Sequence, residues 1–290
     1  MTTSSRRFRF VQLEYPWPLG PEPGRYSIRE QLGEGVGWVL VLRTLGAPER
    51  RSLSRLRRRA TEVPRSPPPE PVATSRATLV DTKPLEGVEA AARWLADAQL
   101  ADVAADGVAR LNRVLHAHRV AAADAYAHEV ALHQALVVRV GYGTGERVAD
   151  GRWESARELA RERTTGARPG STAALRPQER LVALLAGRDA ALACEELALR
   201  ARADLDAVRV REAALQLRAA LEAAIAELEP WREAAGLGAR IDELAERRAE
   251  VEAVAGTALQ SGLHDGQVEV VRVALERLEA ALRARVAGGL

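Results

Sequence analysis

The sequence predicts an α+β N-terminal domain, with a mixed or antiparallel sheet and two or more helices, followed by an all-α C-terminal antiparallel helical bundle. Three observations predict it. Short alternating or β-branched runs bounded by Gly and Pro clusters occupy the first half of the chain, which is the mark of strands. Helical periodicity interleaves with them after Pro84. From Arg176 onward proline occurs only at 177 and 230, while Ala, Leu, Glu and Arg dominate, the composition of a stable helical array. At 290 residues the chain is long enough for two cores. The expected division is residues 1–163, a linker over 164–177 marked by Gly166, Pro169, Gly170 and Ser171, and a bundle over 178–290.

Residues 7–15 alternate, with Phe8, Phe10, Gln12 and Glu14 on one side and Val11, Leu13 and Tyr15 on the other, as a strand requires. A breaker cluster of Pro16, Pro18, Gly20, Pro21, Pro23 and Gly24 follows, which neither helix nor central sheet accommodates. A second strand is expected at about Arg25–Glu30, and a third at Trp38–Leu42, a β-branched and aromatic run between Gly37 and Gly46. Residues 47–73 form a basic, proline-rich loop: an arginine run leads to Pro67, Pro68, Pro69 and Pro71, which favour extended, solvated backbone. Ala77–Asp81 returns as a strand. One helix follows Pro84 with Val88, Ala91, Ala92, Leu95 and Leu100 on a face, and a second runs from about Ala101 to Ala123. Ala135–Val140 reads as a further strand, running into Gly141-Tyr-Gly143-Thr-Gly145, read as a tight hairpin.

In the second half, Leu217, Leu221, Ile225 and Leu228 make one continuous helical stripe, and Val271, Leu275, Leu278 and Leu282 another. With Pro230, Gly236 and Gly238 as punctuation, the expected count is three long helices and a shorter first one at about 177–186. Glu212-Ala213 with Ala220-Leu221 resembles the second helix of a tetratricopeptide repeat over about 14 residues. No second copy follows at the ~34-residue period of such repeats, and Val208 stands where they carry a glycine. The likeness is therefore read as a helical hairpin.

The composition excludes several classes. With 47% hydrophobic and 28% charged residues, the chain lies far from the disordered regime. The segment Met1–Arg9 is not followed by an apolar run, so no secretory signal is expected. No stretch approaches the roughly 18 to 20 apolar residues of a membrane span. Cys194 is the lone cysteine, which rules out an intramolecular disulfide and a cysteine-based zinc cluster; a cytoplasmic location is the expectation. Lys83 is the single lysine among 42 basic residues, so arginine is the default cation and arginine counts alone say little. Residues 1–83 hold 15 Lys or Arg against 8 Asp or Glu, whereas residues 84–290 hold 27 against 32. The front is basic and the back mildly acidic.

Residue spacing marks several candidate sites. His116, His118, His128 and His133 fall within 18 residues, and His128 with His133 is the candidate metal pair. The spacing matches no compact ligand pattern, so no metal is expected. Gly141, Tyr142, Gly143, Gly145 and Arg147 after a strand suggest a phosphate-cradling loop, but the Gly-x-Gly-x-x-Gly spacing and immediate helix that a dinucleotide site needs are missing. No cofactor is expected. Gly33-Glu-Gly35-Val-Gly37 is similar to the glycine-rich loop of protein kinases, yet no His-Arg-Asp or Asp-Phe-Gly motif follows to hold magnesium, and a hairpin turn is the reading. Arg50, Arg51, Arg55, Arg57, Arg58 and Arg59 could neutralise phosphates, although no aromatic residue is interleaved with them. Cys194, among Ala191, Leu192 and Leu197, reads as core.

The function expected from these features is that of a non-enzymatic protein-interaction or scaffold protein, which binds a protein partner or a second copy of itself through the C-terminal helices. The alternatives are an enzyme or small-molecule binder built around Gly141–Gly145 with His128 and His133, and nucleic-acid binding through Arg50–Arg59.

Overall fold

The computed structural model describes residues 6–29, 35–46, 73–160, 172–234 and 236–287, and the chain divides into two compact units, Met1–Thr164 and Thr165–Leu290. The arginine run at 50–59 and most of the proline-rich loop lie outside the described residues.

The first unit is α+β, as its sequence predicts. Strands β1 (Arg7–Tyr15), β2 (Gly24–Arg29), β3 (Val36–Leu45), β4 (Thr74–Leu85), β5 (Val137–Thr144) and β6 (Ser155–Glu158) form one six-stranded sheet in the order β2-β3-β4-β1-β5-β6, every pair antiparallel. β1 lies at the centre because its two sides are apolar in different ways. Val11, Leu13 and Tyr15 face helices α1 (Gly87–Asp97) and α2 (Leu100–Ala121) and bury against Leu95, Val108, Leu111 and Leu115. Each such buried side chain contributes roughly 1.5–3 kcal/mol. Phe10 and Gln12 point to the other face, and both are fully buried.

That second burial arises from the connection between β5 and β6. It runs through a 3₁₀ turn, Gly145–Asp150, which lays Val148 against Phe10 and Val80, and Ala149 against Val39 and Val41. Beneath it the Gln12 amide donates to Thr78 Oγ1 at 3.0 Å and to the Val148 carbonyl at 3.4 Å, so its burial leaves no donor stranded.

The second unit contains α3 (Thr172–Leu185), α4 (Ala193–Asp206), α5 (Val210–Glu227), α6 (Leu237–Gln260) and α7 (Asp265–Ala287). The described helices number five, where the sequence led to an expectation of four, and the first begins at Thr172, upstream of Pro177. The additional helix is α4. Its separation from α5 depends on Val208, which takes φ 59° and closes the turn that a glycine would ordinarily make. The apolar stripes fill a common core: Leu217, Leu221 and Leu228 of α5 and its end pack with Ile241 and Leu244 of α6 and Leu275 and Leu278 of α7.

A left-handed conformation costs a β-branched residue about 1–2 kcal/mol, and Val208 is 80% exposed, so its side chain recovers little of that by packing. Val208→Gly is expected to stabilise the unit by about 1 kcal/mol, net of glycine's greater freedom when unfolded. A higher denaturation midpoint in urea at unchanged slope would show it; an unchanged or lower midpoint would contradict it.

Candidate interaction site

The end of the second unit near the α3–α4 corner collects charge that the alanine-rich stripes do not announce. Arg285, in the last turn of α7, has a side chain only 2% exposed. Its guanidinium lies 4.5 Å from the Trp231 ring centroid, donates to Asp189 Oδ1 at 2.9 Å and reaches Glu195 Oε1 at 3.4 Å. From α3, Arg180 meets the same two carboxylates: its Nε donates to Asp189 at 3.2 Å, and one terminal nitrogen sits 2.7 Å from both Glu195 oxygens. Two arginines on separate helices thus clamp two acids at the start of α4.

The acids also serve the helix. Glu195 accepts the Leu192 backbone N–H at 3.0 Å, and Glu227 at the end of α5 accepts those of Ala193 and Cys194 at 3.2 and 3.0 Å. These donors have no partner within the helix, and negative charge is favoured at a helix N-terminus. Burial pushes the Asp189 carboxyl up, but hydrogen bonds from Arg180, the Ala190 backbone and Arg285 outweigh it and hold the group below the ordinary range. Glu227 shows the same contest: burial raises it, and hydrogen bonds from the Cys194 backbone and thiol and the Ala193 backbone leave it lowered. The Cys194 thiol itself is pushed up to about 12, first by burial and then by Glu227. It stays protonated at neutral pH and is a poor nucleophile.

Beside this cluster lies a groove of about 660 Å³, lined by Arg180 of α3, Glu195, Ala198 and Leu199 of α4, and Glu279, Leu282, Arg283 and Val286 of α7. Of its apolar members, Ala198 belongs to the buried core, Leu282 and Val286 are half-buried, and Leu199 is left 67% exposed. The charged members are balanced, and Glu279 is anchored by Arg202 through contacts of 2.7 and 3.1 Å. The groove can take an apolar helical stripe with mixed charges at its edges. Among the described residues of this end, no hydroxyl or imidazole lines it.

The chain matches no protein-family model, no curated protein and no solved structure.

The residues that spacing singled out lie in the first unit and have other surroundings. Gly141, Tyr142 and Gly143 do not form a loop or tight hairpin; they are part of β5, paired with Phe10, Arg9 and Phe8 of β1. A β-carbon on Gly141 would come within 2.3 Å of the Ser155 carbonyl oxygen, and one on Gly143 within 2.7 Å of Val148 Cγ1. The two glycines admit the chain's own β6 and 3₁₀ turn. Tyr142 is buried among the residues that face α1 and α2. The turn starts instead at Gly145, with φ 58°, and Arg147 is exposed within it. His128 and His133 are both exposed on the connection between α2 and β5, while His116 lies 3.8 Å from Glu129. Among the described residues no group of three or more His, Cys, Asp or Glu is placed to hold a metal ion, and no helix is long and apolar enough to cross a membrane. Gly37 lies in β3, which pairs antiparallel with β2, Ile28 opposite Trp38, whereas Gly33 and the expected turn lie outside the described residues.

The groove is not legible in the sequence because its α4 and α7 linings come from segments 80 or more residues apart. Arg285 did leave a signal: it falls three places after Leu282 on the α7 stripe, the position of a buried residue.

Proposed function

We propose that this protein is a non-enzymatic protein-interaction or scaffold protein that docks an amphipathic helix against its helical unit, in the groove between α4 and α7. The observation that carries this reading is Leu199, 67% exposed at the mouth of a groove whose other apolar members, Leu282 and Val286, are half-buried. Laying an apolar helix face into a groove is a recurrent mode of recognition. The balanced lining charges suit a helix of mixed charge better than a polyanion.

The test is affinity purification of the tagged full chain from its native cell, side by side with Leu199→Arg. Leu199 is exposed, so the substitution leaves folding intact, as circular dichroism would verify. Proteins that associate through the groove are expected to fall at least about tenfold, the effect of losing roughly 1.4 kcal/mol. An identical set of co-purifying proteins at identical yields would refute the reading.

A further inference from the structure

Helix α3 is tied to the second unit by the polar contacts of one side chain. Over 177–185, the part whose side chains are described, none is buried; Arg180, Ala183 and Leu184 are half-covered, and Leu181, Val182 and Leu185 are 45%, 50% and 80% exposed. The apolar core is built from α4, α5, α6 and α7 and the turns between them, and no described residue of α3 belongs to it or packs against it. Among the described residues, the hydrogen bonds and ion pairs from α3 side chains to other elements all come from Arg180, which lies 3.2 Å from Asp189 and 2.7 Å from both oxygens of Glu195. A helix of 14 residues is marginal in water by itself. This one also contains Pro177, which removes a hydrogen bond from its ladder. Its order therefore has to come from its attachment.

We infer that α3 is a latched arm: the grip of Arg180 on Asp189 and Glu195 holds it folded on the bundle, and release of that side chain unfolds α3 while α4 to α7 stay intact. Release is local because the two acids are not abandoned. Arg285 stays 2.9 Å from Asp189 and 3.4 Å from Glu195, and Glu195 keeps the Leu192 N–H at the start of α4. The core loses nothing, since α3 puts nothing into it. Elements with few buried apolar contacts open well below the global unfolding free energy, and order-to-disorder of one segment is a recurrent switching device. The latch responds to salt, because Arg180, Asp189 and Glu195 keep 26%, 18% and 13% of their side chains open to water and such pairs are screened by mobile ions. Arg180 also lines the groove between α4 and α7, so release removes that wall whatever the groove binds.

Hydrogen exchange of the full chain tests this. The readout is the Ala186 and Arg188 amides at the end of α3, which donate to the Val182 and Ala183 carbonyls at 3.0 and 2.9 Å, set against the Leu228 amide, which donates to the Ala224 carbonyl at 2.9 Å in the core of the bundle. Between about 0.01 M and about 1 M salt the screening length falls from about 30 to about 3 Å. Over that range the two α3 amides are expected to exchange at least about tenfold faster, as the loss of a charge-assisted pair with two acceptors implies, while Leu228 is unchanged. In Arg180→Gln they should exchange fast already at low salt and respond no further, with Leu228 keeping its native protection. Native α3 amides that are unprotected at low salt, or that ignore salt, would overturn the inference. So would an Arg180→Gln chain in which α3 is as protected as in the native one, or a loss of protection that α3 and Leu228 share.

Discussion

Gly141→Ala is expected to destabilise the first unit by about 3 kcal/mol and to release the β5–β6 connection from the sheet. Overpacking a close-fitted site ordinarily costs about 1–3 kcal/mol, and this position belongs at the upper end. The obstruction to a new methyl group is backbone: the Ser155 carbonyl oxygen at 2.3 Å and the Ala156 Cα at 2.8 Å. No side-chain rotation relieves it. β6 must move away from β5, taking with it the pairing of Gly141 with Ala156 and Val140 with Arg157. Trp153 then loses its place 5.8 Å from the Phe10 ring, and Val148 no longer covers Gln12. Hydrogen exchange gives a local readout. The Leu159 amide, which donates to the Val138 carbonyl at 2.9 Å, should exchange much faster, whereas amides in the β3–β4 ladder should follow only the global loss of stability. Gly145→Asn is the control, because Gly145 has no neighbour within 4 Å of a β-carbon and a left-handed φ that asparagine tolerates. If Gly141→Ala costs no more than Gly145→Asn, the close approach of β6 is not what requires the glycine.

The same residues show how far local rules reach. The alternation of 7–15 assigns Val11, Leu13 and Tyr15 to one face of a strand, and they face the helices. It assigns Gln12 to the opposite side with Phe8, Phe10 and Glu14, and the structure buries Gln12 completely, because a segment more than 130 residues later folds over that face. Periodicity along a strand reports which residues share a side; it carries no information about what distant chain will cover that side. Glycines 141 and 143 mislead for a related reason. Read locally they break a strand, but here they belong to a strand that another piece of backbone approaches closely. Val208 errs in the opposite direction, taking the turn conformation that residue statistics reserve for glycine. The groove is still less legible: Leu199 and Leu282 are ordinary leucines until α4 and α7 are set side by side. The histidines and the Arg147 position were visible as residue types, yet types without convergence do not define a site.

Arg285→Met should be the most damaging single substitution in the second unit, with an expected cost of about 3–5 kcal/mol, the range seen when one partner of a buried ion pair is removed. The side chain is 2% exposed and sits between the Trp231 ring and two carboxylates. Methionine keeps much of its volume, so the loss measures charge and hydrogen bonding rather than a cavity. Arg180 still faces Asp189 and Glu195, but it is more exposed and cannot neutralise two partly buried acids alone. Adding Asp189→Asn to Arg285→Met should recover part of the loss, so the double variant is expected to be at least about 1 kcal/mol more stable than additivity predicts, as for other contacting pairs.

The acid response follows from the same contacts. Asp189 and Glu227 titrate below the ordinary carboxylate range in the folded chain, so the unfolded chain binds more protons as the pH drops. Their contribution to stability is complete above the ordinary carboxylate pKa and disappears as the pH falls through their lowered folded values. Since Arg285 contributes to both depressions, Arg285→Met should lose stability less steeply on acidification than the native chain, even though it begins less stable at neutral pH. Denaturation midpoints between neutral and acidic pH measure both effects together. A methionine variant as stable as the native chain, or one with an equally steep acid loss, would mean that the α7 guanidinium does not organise the α3–α4 corner on which the groove depends.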